Sequence, residues 1–321
     1  MSFDAIRGQE HAVGILRRSL AADRVAHAYL FEGIDGCGKM LAALSLVEAL
    51  FCGSSNPCGS CPACRKMVGR HHPDLHLLEP EKGVIKIDRI RDIQKELSLR
   101  PVEAPKKVCI VSQAERMNQA AANAFLKTLE EPPGSALIIL LSDTPTALLA
   151  TILSRCQRLR FNPLPLEIVT GLLLAQGVPA DQAQSAASLA GGSVAKGMAI
   201  LQEGFLARRR EIVEQVIGLT PRDFALLTTT AERLGHEREQ AQEVVEVLTL
   251  FFRDVMLSRH GSNPTVNADL LEVVERTASS LSSGGILERL EAVLSAGQSL
   301  LRNVNPRLTL EALFMALAVG N

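Results

Sequence analysis

The chain has 321 residues, of which 47% are hydrophobic and 21% are charged, and its formal net charge is -1. This composition is typical of folded proteins and excludes an intrinsically disordered chain. The pI of about 6.7 excludes a protein basic enough overall to hold nucleic acid or an anionic membrane, so any such contact must be local. At this length we expect more than one domain.

No apolar stretch is long enough to span a membrane, and the N-terminal segment MSFDAIRGQEHAVGILRRSL has no signal-peptide pattern. We therefore predict a cytoplasmic protein with no membrane partner. Four of the seven cysteines lie close together, which in a reducing compartment favours metal binding over disulfide bonds.

In the first half of the chain, short apolar runs alternate with helical patterns. The runs HAYLFEG, KVCIVS and SALIILLSD predict buried strands, at residues 27–33, 107–112 and 135–143. Helical patterns lie at residues 40–51, 87–97 and 119–131. This alternation predicts an α/β domain over residues 1–163, with a mostly parallel sheet and helices on both faces.

After Pro163 and Pro165 only helical patterns continue. We predict a small helical domain over residues 164–207 and an all-α domain over residues 208–321. The boundary between them lies at the charged cluster ARRRE, and it is placed only to within about two to four residues.

A glycine-rich loop follows the first predicted strand. The segment GIDGCGK contains Gly33, Gly36, Gly38 and Lys39, and a helical pattern comes directly after it. Strand, loop and helix in this order are the context of a phosphate-binding loop, whose amides and lysine hold a polyphosphate. The alternative is a glycine-rich turn that only packs the helix onto the sheet.

The residues that would bind magnesium are missing from this loop and its surroundings. Met40 stands where working loops have a hydroxyl ligand, and a thioether cannot replace it for a hard cation. The neighbouring strand ends in Ser112 and Gln113, where an acidic residue would hold the metal. Glu115 is offset from that strand end, which argues against it as a substitute acid. We predict a site that does not hydrolyse ATP, while ATP binding stays open.

Four closely spaced cysteines form a candidate metal site, namely Cys52, Cys58, Cys61 and Cys64. Glycine and proline turns between them let the sulfurs converge tetrahedrally, as a structural zinc site requires. Four thiolates leave no open coordination position, so we predict a structural Zn²⁺ in an insert at residues 52–64. An iron-sulfur cluster or free thiols are the alternatives.

Arg155 follows Ser154 in the segment TILSRC at residues 151–156. Most such arginines are solvated or paired at the surface and contribute little. The alternative is a cation that is offered to the phosphates of an adjoining subunit. The residue pattern alone does not decide between these interpretations.

Taken together, these motifs resemble the clamp-loader subunits of bacterial DNA polymerase III, a family of AAA+ proteins. The resemblance extends over essentially the whole chain. It rests on the glycine loop, the cysteine insert, HHPD at 71–74, NAFLKTLEEPP at 123–133, TILSRC at 151–156 and NVNPRLTLEALF at 303–314.

The resemblance implies an AAA+ P-loop domain, then a helical lid, then a helical collar that joins the subunits of a ring. The implied partners are the motor subunits gamma or tau and the subunit delta, with the sliding clamp and primer-template DNA reached through the complex. The loop without magnesium ligands separates this chain from the motor subunits, and implies an accessory polymerase subunit without its own ATPase. By motif, Arg155 becomes an arginine finger that acts on a neighbouring subunit, Ser154 becomes its motif partner, and the four cysteines become zinc ligands.

Two rival functions stay open. In an active AAA+ ATPase, Lys39 and an unidentified acid would recruit magnesium. In a zinc-ribbon nucleic-acid binder, the basic residues after the cysteines would contact DNA, but no aromatic residue lies between Cys52 and Cys64 to stack on bases.

Overall fold

The computed structural model describes residues 3–54, 57–134, 136–202, 204–262, 266–302 and 304–318. Parts of several sequence features lie outside these residues, namely residues 1–2 of the N-terminal segment, Ser55 and Asn56 of the cysteine insert, Ser135 of the third predicted strand, Glu203 of the predicted small helical domain, residues 263–265 and 319–321 of the predicted all-α domain, and Asn303 of the NVNPRL motif. The chain forms two compact units. The first contains Met1–Val169 and Gly191–Lys196, and the second contains Thr170–Ala190 and Gly197–Asn321.

The first unit is built on a parallel sheet. Its strands are β1 Ala28–Glu32, β2 Leu75–Leu78, β3 Val108–Val111, β4 Leu137–Ser142 and β5 Gln157–Arg160. They are arranged in the order β2-β3-β4-β1-β5, and every pairing is parallel. Glu32 pairs with Ser142 at the carboxyl ends of β1 and β4, so the loops that follow these two strands begin side by side.

Helices cover both faces of this sheet, as the alternating pattern predicts. They are α1 Glu10–Ala21, α2 Lys39–Cys52, α3 Pro62–Val68, α4 Ile87–Ser98, α5 Gln119–Glu130 and α6 Ala150–Leu153. Successive strand residues point to opposite faces. Tyr29 and Phe31 pack with α1 and α2 in one core, whereas Ala28 and Leu30 pack with α4, α5 and α6 in the other. The predicted α/β class is confirmed.

Local signals set the ends of α5. Asn118 caps its first turn, because the Asn118 side-chain oxygen accepts a hydrogen bond from Ala121 N at 2.8 Å. The helix ends at Glu130, shortly before Pro132 and Pro133, which lack the amide hydrogens that a helix needs.

Helices continue after β5, and the predicted change to helical structure is confirmed. They are α7 Leu166–Ala175, α8 Ala180–Leu189, α9 Val194–Gln202, α10 Phe205–Ile217, α11 Phe224–Leu234, α12 Arg238–Arg259, α13 Leu271–Ser280, α14 Ser283–Leu301 and α15 Pro306–Ala318. Within the described ranges, no helix is both long and apolar enough to cross a membrane.

The second unit has an apolar core that includes Val213, Leu248 and Phe314. Arg209 is also buried there. Its Nη1 donates to Asn267 Oδ1 at 2.6 Å, and its Nη2 pairs with the carboxylate of Asp269. A buried charge needs such partners, because losing them would leave its desolvation uncompensated. This polar contact therefore helps to set how α10 packs in the unit.

Candidate functional site

The glycine loop connects β1 to α2 and is closely covered by residues 191–196 of the same unit. Gly36 has a φ of +71°, a conformation that favours glycine. A Cβ atom at this position would lie 2.5 Å from Ser193 Oγ and 2.6 Å from Ala195 N. In addition, Val194 N donates a hydrogen bond to Gly36 O at 3.2 Å. The loop is therefore packed against protein on this side.

Lys39 is the first residue of α2 and is only 6% exposed. Its Nζ donates to Gly33 O at 2.6 Å and to Ile34 O at 2.7 Å, and it pairs with Asp143 Oδ1 at 2.8 Å. An ammonium group has three protons to donate. These contacts occupy all of them, so the lysine can reach a phosphate only if one contact opens.

A pocket of about 250 Å³ lies beside Lys39. Met40, Ser112, Gln113 and Asp143 are among its lining residues. The structure thus brings together the positions from which magnesium ligands are missing. The pocket is smaller than the roughly 300 Å³ at which small-molecule sites usually begin.

Two carboxylates lie near the loop, and the sequence predicts neither as part of the site. Asp143 follows β4, and Glu115 Oε1 accepts a hydrogen bond from Asp143 N at 3.4 Å. The short helical turn Ala114–Arg116 brings Glu115 back toward the end of β4. Contrary to the sequence expectation, its offset from the end of β3 therefore does not keep Glu115 away from Asp143. Glu115 Oε2 is buried and has no hydrogen-bond partner among the described residues.

The four cysteine sulfurs converge at the junction of α2 and α3, and they all lie within 4.8 Å of one another. Cys58 Sγ and Cys64 Sγ are 4.0 Å apart, as are Cys61 Sγ and Cys52 Sγ. Zinc–sulfur bonds of about 2.3 Å place tetrahedral sulfurs about 3.8 Å apart. The donor set therefore fits a tetrahedral zinc ion.

Hydrogen bonds and burial set the protonation of this cluster. The Ser60 amide, followed by the Ser60 hydroxyl and the Cys61 amide, lowers the pKa of Cys58 to about 6. Burial raises the pKa of Cys64 to about 12. At neutral pH Cys58 is therefore a thiolate ready to bind a metal, while Cys64 must release a proton when the metal binds.

Arg155 follows Ser154, the residue that caps the end of α6, and its side chain is 33% exposed. Its Nη1 donates to Thr151 O at 2.8 Å and to Ser154 Oγ at 3.3 Å. Its Nη2 donates to Glu130 Oε1, at the end of α5. The guanidinium is thus held at the surface by several acceptors.

Comparison with known proteins assigns the family. The family model described as "DNA polymerase III, delta subunit" matches residues 8–165, and the one described as "DNA polymerase III, delta subunit, C terminal" matches residues 203–318. The delta' subunit of DNA polymerase III from Bacillus subtilis (strain 168) is 33% identical over 319 residues, covering 97% of each chain. The chain belongs to the delta' family of DNA polymerase III. The delta' subunit of Escherichia coli (strain K12) is 31% identical over 284 residues, covering 86% of this chain and 82% of that protein.

Membership of the delta' family confirms the resemblance found in the sequence motifs. The tau subunit of DNA polymerase III from Bacillus subtilis (strain 168) is also similar, at 34% identity over 172 residues, covering 53% of this chain and 30% of that protein. A solved structure of a gamma subunit-related protein of DNA polymerase III from Thermotoga maritima covers 95% of this chain and 98% of its own, with 21% identity and a TM-score of 0.44.

Proposed function

We propose that this chain is a non-hydrolysing subunit of a clamp loader, which places the sliding clamp on primed DNA. The observation that carries the proposal is the engagement of Lys39 by Asp143 and two backbone carbonyl oxygens. Met40 supplies a thioether where magnesium needs an oxygen ligand, and neither Ser112 nor Gln113 has a carboxylate. The chain would then be an accessory polymerase subunit with no ATPase of its own.

Titration of ATP into the isolated chain, with and without Mg²⁺, tests this proposal. We expect weak binding that magnesium does not strengthen, because the pocket lacks its ligands. Hydrolysis measured on the same sample is expected to stay at the background rate.

Arg155 is the group that we propose acts on a neighbouring subunit, with Ser154 as its motif partner. The guanidinium lies at the surface, where an adjoining chain could bind it. A cation placed there would stabilise the negative charge that develops on phosphate oxygens during hydrolysis. The chemistry would take place in the motor subunit, while this chain supplies the charge.

We propose that Cys52, Cys58, Cys61 and Cys64 hold a structural zinc ion. The fit of the sulfur positions to a tetrahedron supports this role. Zinc would supply the crosslink that fixes the segment between α2 and α3, and with four thiolates bound it would have no position for a substrate. The site would therefore stabilise the fold and take no part in hydrolysis.

The proposed partners are the clamp-loader subunits gamma or tau and delta, with the clamp and primer-template DNA bound through the complex. We propose residues 1–163 as the AAA+ domain, 164–207 as the lid and 208–321 as the collar. On α14, Leu287, Leu294 and Leu301 are 49%, 48% and 77% exposed. Their spacing of seven residues places them on one face of the helix, and an exposed apolar face of this kind supports an assembly role.

Replacing Leu294 by aspartate is expected to weaken assembly with the partner subunits by at least about 10-fold, because a charge buried in an apolar interface loses its hydration. Size-exclusion chromatography of reconstituted mixtures over a concentration series would measure this effect. Leu226→Asp is the matched control, since Leu226 is similarly exposed, at 54%, but lies on a different helix, α11. Equal assembly by both variants and the unmodified chain would exclude this face from the interface.

An active ATPase is the second candidate. It is favoured by the two carboxylates near the loop, Asp143 and Glu115, since acidic groups there could recruit magnesium. Such an enzyme would need Lys39 to leave Asp143 before it could hold a phosphate. Magnesium-dependent ATP hydrolysis by the isolated chain, abolished by Lys39→Ala, would decide in favour of this candidate.

A further inference from the structure

We propose that Glu130 is a positioning residue for Arg155. Its carboxylate orients the guanidinium so that the remaining N–H groups face the phosphates of the adjoining subunit. This inference rests on the proposed function of Arg155, and it adds a residue that acts through Arg155 without touching the nucleotide.

The hydrogen bonds of Arg155 leave donors available for a ligand. A guanidinium has five N–H groups. Thr151 O, Ser154 Oγ and Glu130 Oε1 occupy three of them. Within the described part of the chain, the other two have no acceptor. The group is therefore held on one side and can donate on the other.

Glu130 is the only side chain among these contacts that comes from a different helix. Thr151 and Ser154 lie within four residues of Arg155, so they move with it. Glu130 is instead the last residue of α5, and its carboxylate ties Arg155 to a second element. Replacing this carboxylate by a neutral amide would exchange a charge-assisted hydrogen bond for a weaker one, from which a long flexible side chain can rotate away.

The two helices that carry the pair form a firm base. Phe125 and Leu129 of α5 are buried in the same apolar cluster as Ile152 of α6. On its other side α5 is joined to α4, because Gln94 Nε2 donates to Thr128 Oγ1 at 2.7 Å. Glu130 can therefore fix the guanidinium relative to the sheet, and not merely to a mobile loop.

Folding and positioning can be separated at this site. The Glu130 side chain is 47% exposed and that of Arg155 is 33% exposed. Ion pairs at such exposure contribute little to stability, so replacing Glu130 should leave the fold and the assembly unchanged. An arginine that is displaced by about 1 Å can nevertheless lose much of its catalytic effect.

The test is Glu130→Gln in a clamp loader reconstituted with its motor subunits. Single-turnover hydrolysis of ATP resolves the phase that depends on Arg155, and we expect the rate of that phase to fall between about 10-fold and about 100-fold. The ATP concentration at half-maximal rate should stay the same, since the motor subunit binds the nucleotide. Glu131→Gln is the matched control, because Glu131 is exposed and adjacent in sequence. A clamp loader that contains this variant should hydrolyse ATP at the normal rate.

A double variant shows whether Glu130 acts through Arg155. On the Arg155→Ala background, Glu130→Gln should cause no further loss, whereas additive losses would overturn the proposal. A normal or faster rate for Glu130→Gln alone would also overturn it, even if Arg155→Ala lowers the rate. If Arg155→Ala itself has no effect, the proposed function of Arg155 fails, and the positioning role fails with it. Gel filtration of each complex confirms that the variants assemble.

Discussion

Replacing Arg155 by alanine is expected to lower ATP hydrolysis about 10³-fold at one site of the reconstituted clamp loader, the site that faces this chain. The physical reason is charge: a guanidinium next to the transferred phosphate stabilises the negative charge of the transition state more than that of the bound ATP. Nucleotide binding by the motor subunit should change little. In a single-turnover experiment, the fast phase should therefore lose the contribution of one site.

The matched control for this experiment is Arg158→Ala. Arg158 is another surface arginine of the first unit, and it pairs with Glu32 at 2.8 Å. We expect this variant to keep every hydrolysis phase, because nothing assigns Arg158 to a neighbouring site. If the Arg155→Ala complex assembles and turns over at the unmodified rate, the trans role of Arg155 is wrong.

Replacing Cys64 by serine is expected to abolish zinc binding and to unfold the cysteine insert. Structural zinc sites in small peptides contribute apparent free energies of about 10 to 16 kcal/mol at neutral pH. Here the residues that flank the insert pack independently of the metal, since Phe51 and Met67 are buried in the core of the first unit. We therefore expect local unfolding, with trypsin cleavage at Arg65 at least about 10-fold faster and the rest of the chain folded.

Metal analysis of the purified chain checks the zinc prediction directly. The unmodified protein should hold stoichiometric zinc, and its affinity should fall as the pH falls, because protons compete for the buried Cys64 thiol, whose pKa is raised to about 12. Cys156→Ser is the control, since it leaves all four ligands in place and should keep its zinc. A Cys64→Ser protein with full zinc content and normal resistance to trypsin would contradict the assignment.

The sequence predicts the strands that are uniformly apolar and misses those that are not. β3 and β4 are buried along their whole length, so their residue types alone mark them. In β5, Leu159 is buried while the other residues are exposed. Its sequence QRLR carries no apolar run, because an edge strand needs to bury little. β2 is short and contains a histidine, and we did not predict it either.

At the glycine loop, the sequence predicts the local features and misses the contacts between distant residues. The loop, its lysine and the absent magnesium ligands can be predicted, because they are local in sequence. The pairing of Lys39 with Asp143 joins residues 104 positions apart, and no local pattern indicates it. One signal was available: Asp143 directly follows a predicted strand, and the carboxyl ends of neighbouring parallel strands meet at one edge. The covering of Gly36 by Ser193 and Ala195 depends on tertiary packing that the sequence does not specify.

Hydrolysis of ATP by the isolated chain in the presence of magnesium decides whether this subunit turns over ATP itself or only assists a neighbouring site. We expect a rate no higher than that of a Lys39→Ala variant measured in parallel, together with ATP binding that magnesium does not tighten. Robust turnover that requires magnesium and disappears in the Lys39→Ala variant would contradict the proposed non-hydrolysing role.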